Sequence, residues 1–427
     1  MTRPPRSALL ALCFLAVGCP SEEPDPPVEE TGLSDEVVDA MSPTQLKADV
    51  DFLADDALGG RITGSPGAIA ARDYLVGRLG ELDLEPLGDG GSFVYEYATE
   101  PRTDRFQLDE AGDVVPNDAT VGYDLVALLP GSDPLLADEY IVLAAHYDHI
   151  GVESDGRINN GAFDDAAGSA ALLEIARVLS EFDAAPPRSI VFVLTDGEEN
   201  GHTGMAAWLD APTVPAADIQ LGLSMDPLGR PMLPDVWTTV VMGTERSPEL
   251  DALVRASSDA LDMELLLIHR DVVPLFSSDQ DEFYESFEPE RPGAWVVNPG
   301  MSWYHTVNDT ADTIDYRILL RSAQYMAHLL HRIGSYDGTF TYQVPEPPGT
   351  QFGLDAGRLF ELVLSSEVLT PDERAQALAF ADDFAEVAQA GTVDVLPPGR
   401  VVEALFFVLF DLTEAHPGPV PPPFPEE

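Results

Sequence analysis

Cysteine is almost missing from this 427-residue chain: there are two, Cys13 and Cys19, both near the start. Beyond them a disulfide framework, a thiolate metal centre and a cysteine nucleophile are excluded. Positive charge is scarce as well. Lys+Arg number 22 against 75 Asp+Glu, the formal net charge is −53 at pH 7, and Lys47 is the one lysine. Such a chain has no cationic surface with which to grip a nucleic-acid backbone or anionic lipid. Two apolar runs, Ala8–Val17 and Leu405–Phe410, are too short to cross a bilayer. The Gly-x-Ser-x-Gly elbow and the His-Glu-x-x-His helix of other hydrolases are also absent. What is present is a composition that folds: 45% hydrophobic and 8% aromatic residues can bury a core despite the charge. The length allows one large α/β domain with appendages, or two to three units.

The start reads as an export signal over residues 1–18, with Arg3 and Arg6 ahead of the apolar run. Leu15-Ala16-Val17-Gly18-Cys19 resembles a bacterial lipobox, with Ala16 where leucine is usual; Cys19 would then carry the lipid. Residues 19–38, rich in proline and acid, read as a disordered tether holding a domain off the membrane. The expectation is a lipoprotein exported from a bacterial cell and anchored at its envelope through that lipid alone.

Segments 43–57 and 68–82 read as helices; Ser42-Pro43-Thr44-Gln45 supplies a cap, an N1 proline and a capping-box glutamine. Between them Leu58-Gly59-Gly60-Arg61 and Thr63-Gly64-Ser65 form a loop. Continuous apolar runs at Ile141–Ala145, Ile190–Leu194, Ile219–Met225 and Ala294–Val297 read as strands buried on both faces, alternating with helices such as Ala166–Leu179. The fold class is therefore α/β, a mostly parallel twisted sheet with helices on both faces, spanning 39–340. A Pro-rich linker at 341–352, a helical appendage at 353–415 and a disordered tail at 416–427 follow. In the appendage Thr370-Pro371-Asp372-Glu373 is a capping box whose helix Gly391 can close.

Polar residues follow each of the four strands. The first runs into His146-Tyr147-Asp148-His149, and Asp164-Asp165 precede the next helix; Asp196-Gly197-Glu198-Glu199 follow the second strand, Asp226 the third, and Tyr304-His305-Thr306 come after the fourth. Ligands in open α/β sheets gather at the carboxyl ends of strands. Histidines with carboxylates and no thiolate suit Zn²⁺ or a similar divalent ion, and two such ions sharing a carboxylate can acidify water and steady an oxyanion.

The ordered set His146-Tyr147-Asp148, Asp164-Asp165-Ala166-Ala167-Gly168, Glu198-Glu199-Asn200-Gly201, Asp226 and Tyr304-His305-Thr306 with Asp309-Thr310 resembles the co-catalytic zinc peptidase family. That family includes bacterial leucyl aminopeptidases, glutamate carboxypeptidase and the transferrin receptor ectodomain. The likeness covers about residues 40–335, and no inserted protease-associated domain is apparent. It implies two Zn²⁺ per chain, held by His146, Asp164, Glu199, Asp226 and His305 with Asp164 bridging. It further implies Glu198 as general base, Asp148 hydrogen-bonded to the His146 imidazole, and a cis peptide after Asp164. Ser278-Asp279-Gln280-Asp281 stands where many relatives have Ser-Asp-His, and His202 where they have an apolar residue.

Tyr304, Asp279 and Arg230 are candidate substrate contacts; Arg230 could bind a substrate carboxylate, with a surface ion pair as its plainer role. His149 could line the site, its plainer reading being structural or backing it, and His269, His328, His331 and His416 are read as surface or helix-face residues. The expected activity is a zinc aminopeptidase acting on peptides. The alternatives are a carboxypeptidase or dipeptidase of the same family, for which Arg157, Arg230 and Arg291 are the available cations, and a non-catalytic binding module on the fold. A related single-zinc cyclase of N-terminal glutamine is disfavoured by the complete set of five ligands.

Overall fold

The computed structural model describes residues 33–182, 184–261, 263, 265–272, 277–418 and 421. The signal, Cys19 and the tether up to residue 32 lie outside them. Residues 33–38 do not behave as a tether: Leu33, Val37 and Val38 are buried, the last two on a short helix, Asp35–Asp39. Their apolar side chains outweigh the surrounding acids and join the core.

Eleven strands occur among the described residues: β1 (Glu85–Pro86), β2 (Val94–Ala98), β3 (Phe106–Leu108), β4 (Val114–Pro116), β5 (Val121–Leu129), β6 (Tyr140–His146), β7 (Ser189–Thr195), β8 (Ile219–Met225), β9 (Thr239–Met242), β10 (Leu265–Ile268) and β11 (Gly293–Val297). Nine form one sheet in the order β1-β5-β7-β6-β8-β11-β9-β10, with β2 also on β5; β3 and β4 form a small hairpin. The centre, β7-β6-β8-β11, is parallel and made of the four expected strands. Its flanks are antiparallel, through β5 on β7 and β9 on β11.

Alternation along the central strands assigns each side chain to a layer. Ile141, Leu143, Ala145, Ile190, Phe192 and Leu194 face the larger core; Val142, Ala144, Val191 and Val193 face a smaller one built around Trp208 and Phe283. Helix Ala167–Glu181 is buried along almost its whole length within the larger layer, together with Tyr316–Ser335 and Pro43–Leu53. The Ser42 hydroxyl caps the last of these from the Gln45 amide at 3.2 Å. Its capping box is not closed by Gln45, which turns to Asp49; Glu174 accepts the Ser42 amide instead. A distant carboxylate has taken the local partner's place.

After Ser335 the chain runs to helices Thr350–Ser365 and Pro371–Ala390, then Arg400–Phe406 with a π-type continuation over Phe407–Leu412. The first begins at Thr350, inside the expected linker. The Thr370–Glu373 capping box forms in both directions, at 2.8 and 3.3 Å, and Gly391 closes that helix at φ 75°. Phe352, Phe360, Phe380, Phe384 and Phe407 form the aromatic heart of this group, which packs on β10 and so covers a sheet edge. His416, at the start of the expected tail, reaches Glu373 at 2.9 Å.

Candidate metal centre

The four central strands are parallel, so their carboxyl ends share one edge of the sheet and bring the sequence motifs together. His146 is the last residue of β6, Asp226 follows β8 directly, and Glu198 lies three residues beyond β7. His146 Nε2 is 3.1 Å from Asp164 Oδ1, 3.4 Å from Asp226 Oδ1 and 4.0 Å from Glu198 Oε2. On the other side of Asp164, His305 Nε2 is 3.0 Å from Asp164 Oδ2 and 3.1 Å from Glu199 Oε1. Asp164 thus belongs to two groups of potential ligand atoms, one through each oxygen.

These atoms are buried without hydrogen-bond partners: His146 Nε2, His149 Nδ1, Asp164 Oδ2, Glu199 Oε1 and His305 Nε2 among them. Orphaned nitrogens and oxygens crowded this closely are costly unless a cation satisfies them. The donor set, imidazole and carboxylate at mutual spacings near those around a tetrahedral ion, fits zinc. A third acid–histidine group, Glu245, His269 and Asp271, lies elsewhere, and Arg246 meets its Asp271 at 2.6 Å. Its His269 is buried, not on the surface.

Residues 124–330 match the model of peptidase family M28, and every potential ligand above falls within them. This segment belongs to peptidase family M28. The chain is 28% identical over 192 residues to a probable zinc metalloprotease of Pyrenophora tritici-repentis, a match covering 42% of this chain. The chain spans about a third of that protein's length, 35% by the match. Solved structures of similar fold include an aminopeptidase from Aneurinibacillus sp. strain AM-1 (16% identity, TM-score 0.51, covering 73% of this chain and 98% of that one). A zinc aminopeptidase from Bacillus subtilis is similar at 13% identity and TM-score 0.54 (72% and 99% covered), and Porphyromonas gingivalis glutaminyl cyclase at 19% and 0.51 (68% and 98%).

Around the M28 centre the backbone is held by buried side chains. Asp148 is fully buried, and its carboxylate accepts the Glu198 and Glu199 amides at 3.2 and 3.3 Å and the Thr63 hydroxyl at 3.2 Å. The hydrogen bond from His146 Nδ1 goes to the Asp148 carbonyl at 3.2 Å, with the carboxylate 3.4 Å away. Asp148 is therefore a positioning residue for both motifs, not a group at the reacting atoms. Asp309 accepts the Phe163 and Asp164 amides and so places the Asp164 carboxylate. The Asp164–Asp165 peptide is cis, as the family resemblance implies.

Two expected substrate contacts are corrected. Arg230 is neither in the cleft nor on the surface; it is buried, paired with Asp309 at 2.7 Å, donates to the Ser302 carbonyl and lies over the Phe163 ring. Its charge anchors the loop behind Asp164. Asp279 is also buried, accepting the Thr195 hydroxyl at 2.6 Å, and does not line the cleft. Tyr304 does line it, its ring stacked on His305 at 3.9 Å. The cleft of about 230 Å³ is further lined by Glu198, Glu199, Asp226, Trp295, Met301 and Phe410.

Three residues near the M28 centre were not among the site residues named from sequence. Arg61, inside the recognised glycine loop, is fully buried and donates to the carbonyls of Leu53, Tyr147, Asn160 and Gly161, tying the His146 loop to the Asp164 loop. Burial pulls its pKa down to about 10 against the pull of Asp148, Asp309, Asp164 and Asp165. His149 stands among the ligands, its Nδ1 2.8 Å from Glu199 Oε1; its place in a His-x-x-His run was the available signal. Phe410 arrives from the C-terminal helices, and no local pattern announces it.

Proposed function

We propose that this chain is a dinuclear zinc aminopeptidase. The supporting observation is the pair of ligand groups sharing Asp164 beside Glu198. In this reading His146, Asp164 and Asp226 hold one ion, and Asp164, Glu199 and His305 hold the other. When bound, the ions supply Lewis acidity, which lowers the pKa of water and stabilises the developing oxyanion.

Glu198 is the general base, taking a proton from the attacking water and delivering it to the leaving amine. Burial raises its carboxyl well above the ordinary value; His146 opposes this, and Asp226 and Glu199 add to it. Glu199 goes the other way: burial and Asp164 push it up, but His149 and His305 hold it at about 2. Adjacent carboxylates driven apart in this manner divide base and ligand roles. Asp148 holds both backbone amides in place.

The substrate reading follows from the cleft. Its acidic lining suits a peptide's terminal ammonium, and among the described residues no arginine lines it. Arg230 is locked behind Asp164, Arg157 is paired with Asp155 and Arg291 donates to the Ile219 carbonyl, which weighs against a carboxypeptidase. Trp295, Met301 and Phe410 offer an apolar wall for one side chain. Aminoacyl-nitroanilides assayed beside N-blocked dipeptides and a glutaminyl peptide test the assignment. Hydrolysis of the free-amine substrates is expected; cleavage of blocked substrates alone, or cyclisation of glutamine without hydrolysis, would replace it.

Export and tethering through Cys19 are part of the proposal, on the strength of residues 1–19. Incorporation of labelled fatty acid into the wild-type chain but not Cys19→Ala is the matching measurement.

A further inference from the structure

We infer that His149 is a fourth protein ligand to one ion, so that the two metal positions are unequal. One is closed by His149, Asp164, Glu199 and His305; the other, held by His146, Asp164 and Asp226, keeps an open position facing Glu198. This rests on the dinuclear reading above.

The first argument is geometric. A tetrahedral zinc with arms of about 2.0–2.2 Å has ligand-to-ligand edges of about 3.3–3.6 Å. His149 Nδ1 lies 2.8 Å from Glu199 Oε1 and 3.7 Å from Asp164 Oδ2, and His305 Nε2 lies 3.1 and 3.0 Å from the same two oxygens. The four atoms outline one small polyhedron. The two imidazoles meet edge-on, with centroids 5.6 Å apart, as rings converging on one point do.

The second argument concerns cost. His149 is completely buried; its Nδ1 faces Glu199 Oε1 at 2.8 Å without making an aligned hydrogen bond, and its Nε2 has no partner. A histidine kept there for packing alone would leave its polar atoms unsatisfied, whereas ligation satisfies Nδ1. Room for the ring is built into the neighbouring loop. Gly161 has φ 59°, and a Cβ there would sit 2.5 Å from His149 Cγ and as close to the Asp164 carbonyl oxygen, so the glycine makes room for the ring and for the Asp164 backbone together.

The consequence is a division of labour between the ions. Closed four-ligand sites are the structural kind, while three-ligand sites leave a position for water or substrate. The open position lies on the side of Glu198, whose Oε2 is 4.0 Å from His146 Nε2. The closed ion should therefore be held tightly, and the open one should exchange.

The experiment is stepwise metal removal from the purified full chain. Zinc content is followed against increasing chelator, and cobalt is then added back in single equivalents while its visible spectrum is recorded. Wild type should lose its zinc in two separated steps, and the first cobalt equivalent should give an intense four-coordinate band. In His149→Ala the tighter constant should weaken by at least about 100-fold, more than is usual for removing an outer hydrogen bond, and the band should fade. His149→Gln, which keeps a polar side chain in the ring's place but has no imidazole nitrogen, should move both readouts the same way and serves if His149→Ala does not fold. Unchanged constants and an unchanged band in either folded variant overturn the role of His149. A wild-type chain that takes up no more than one ion overturns the dinuclear reading instead, and the cobalt band then judges His149 alone.

Discussion

Glu198 and Glu199 are adjacent in sequence and equally buried, yet the charged groups around them separate them. Glu198→Gln keeps every potential ligand and removes only the proton acceptor, so zinc content by elemental analysis should stay near wild type while kcat falls by roughly 10²–10⁴. Turnover within a few-fold of wild type would remove Glu198 from the base role. Asp279 gives a second test at this scale. Burial lifts its carboxyl to about 6, although His202 and the Thr195 hydroxyl pull it down. A carboxyl raised above its unfolded value of about 3.9 favours folding most at low pH, and that contribution is lost as pH climbs through the folded pKa. Between pH 4 and 7 the zinc-free wild-type chain should therefore lose more stability than Asp279→Asn, by at most about 3 kcal/mol, in urea titrations. Equal losses in the two chains would show that Asp279 does not titrate in that window.

Among the elements, the C-terminal helices carry the least expected consequence. They lie beyond the family match, which ends at residue 330, yet they place Phe410 in the cleft beside Trp295 and Met301. Leu359, Leu405 and Leu409 lie behind it facing Val240 and Met242 of β9 and Ile268 of β10, which no catalytic motif contains. A side-chain preference would thus be set partly outside the M28 segment. Phe410→Ala should raise KM for a large apolar N-terminal residue about 10-fold and leave kcat and metal content little changed, because the wall touches the side chain and not the reacting atoms. An identical selectivity profile in the variant would remove the helices from substrate choice.

For the molecule as a whole, the charge of −53 remains the dominant property. The proposed centre uses few of the 75 acids, and buried carboxylates such as Asp148 and Asp309 are met by hydrogen bonds or by arginine. The remainder repel one another across the surface, a term that salt screens within about 10 Å at 0.1 M. The midpoint of thermal unfolding should therefore rise between low and molar sodium chloride at neutral pH. A flat or falling midpoint would mean that self-repulsion does not limit this fold.

The parallel centre of the sheet was legible because strands buried on both faces read as unbroken apolar runs, and the five candidate ligands because each occupies a motif in a fixed order. The antiparallel strands were not: β5 pairs with β7 from over sixty residues away in sequence, and no local periodicity records a partner at that distance. The same limit explains the residues misjudged. Arg230 and Asp279 carry charges that suit a substrate, and only the packed structure shows that Asp309 and Thr195 have already taken them. His149 looked ordinary because a ligand is defined by what converges on it, and its companions come from three other loops. By itself the sequence determined the fold class and the family, and through the family resemblance it nominated five candidate ligands, all of them written in short contiguous stretches. Tertiary structure decided which charges are free, which histidine joins the centre and which distant helix walls the cleft, because those depend on distances through space that the order of residues does not contain.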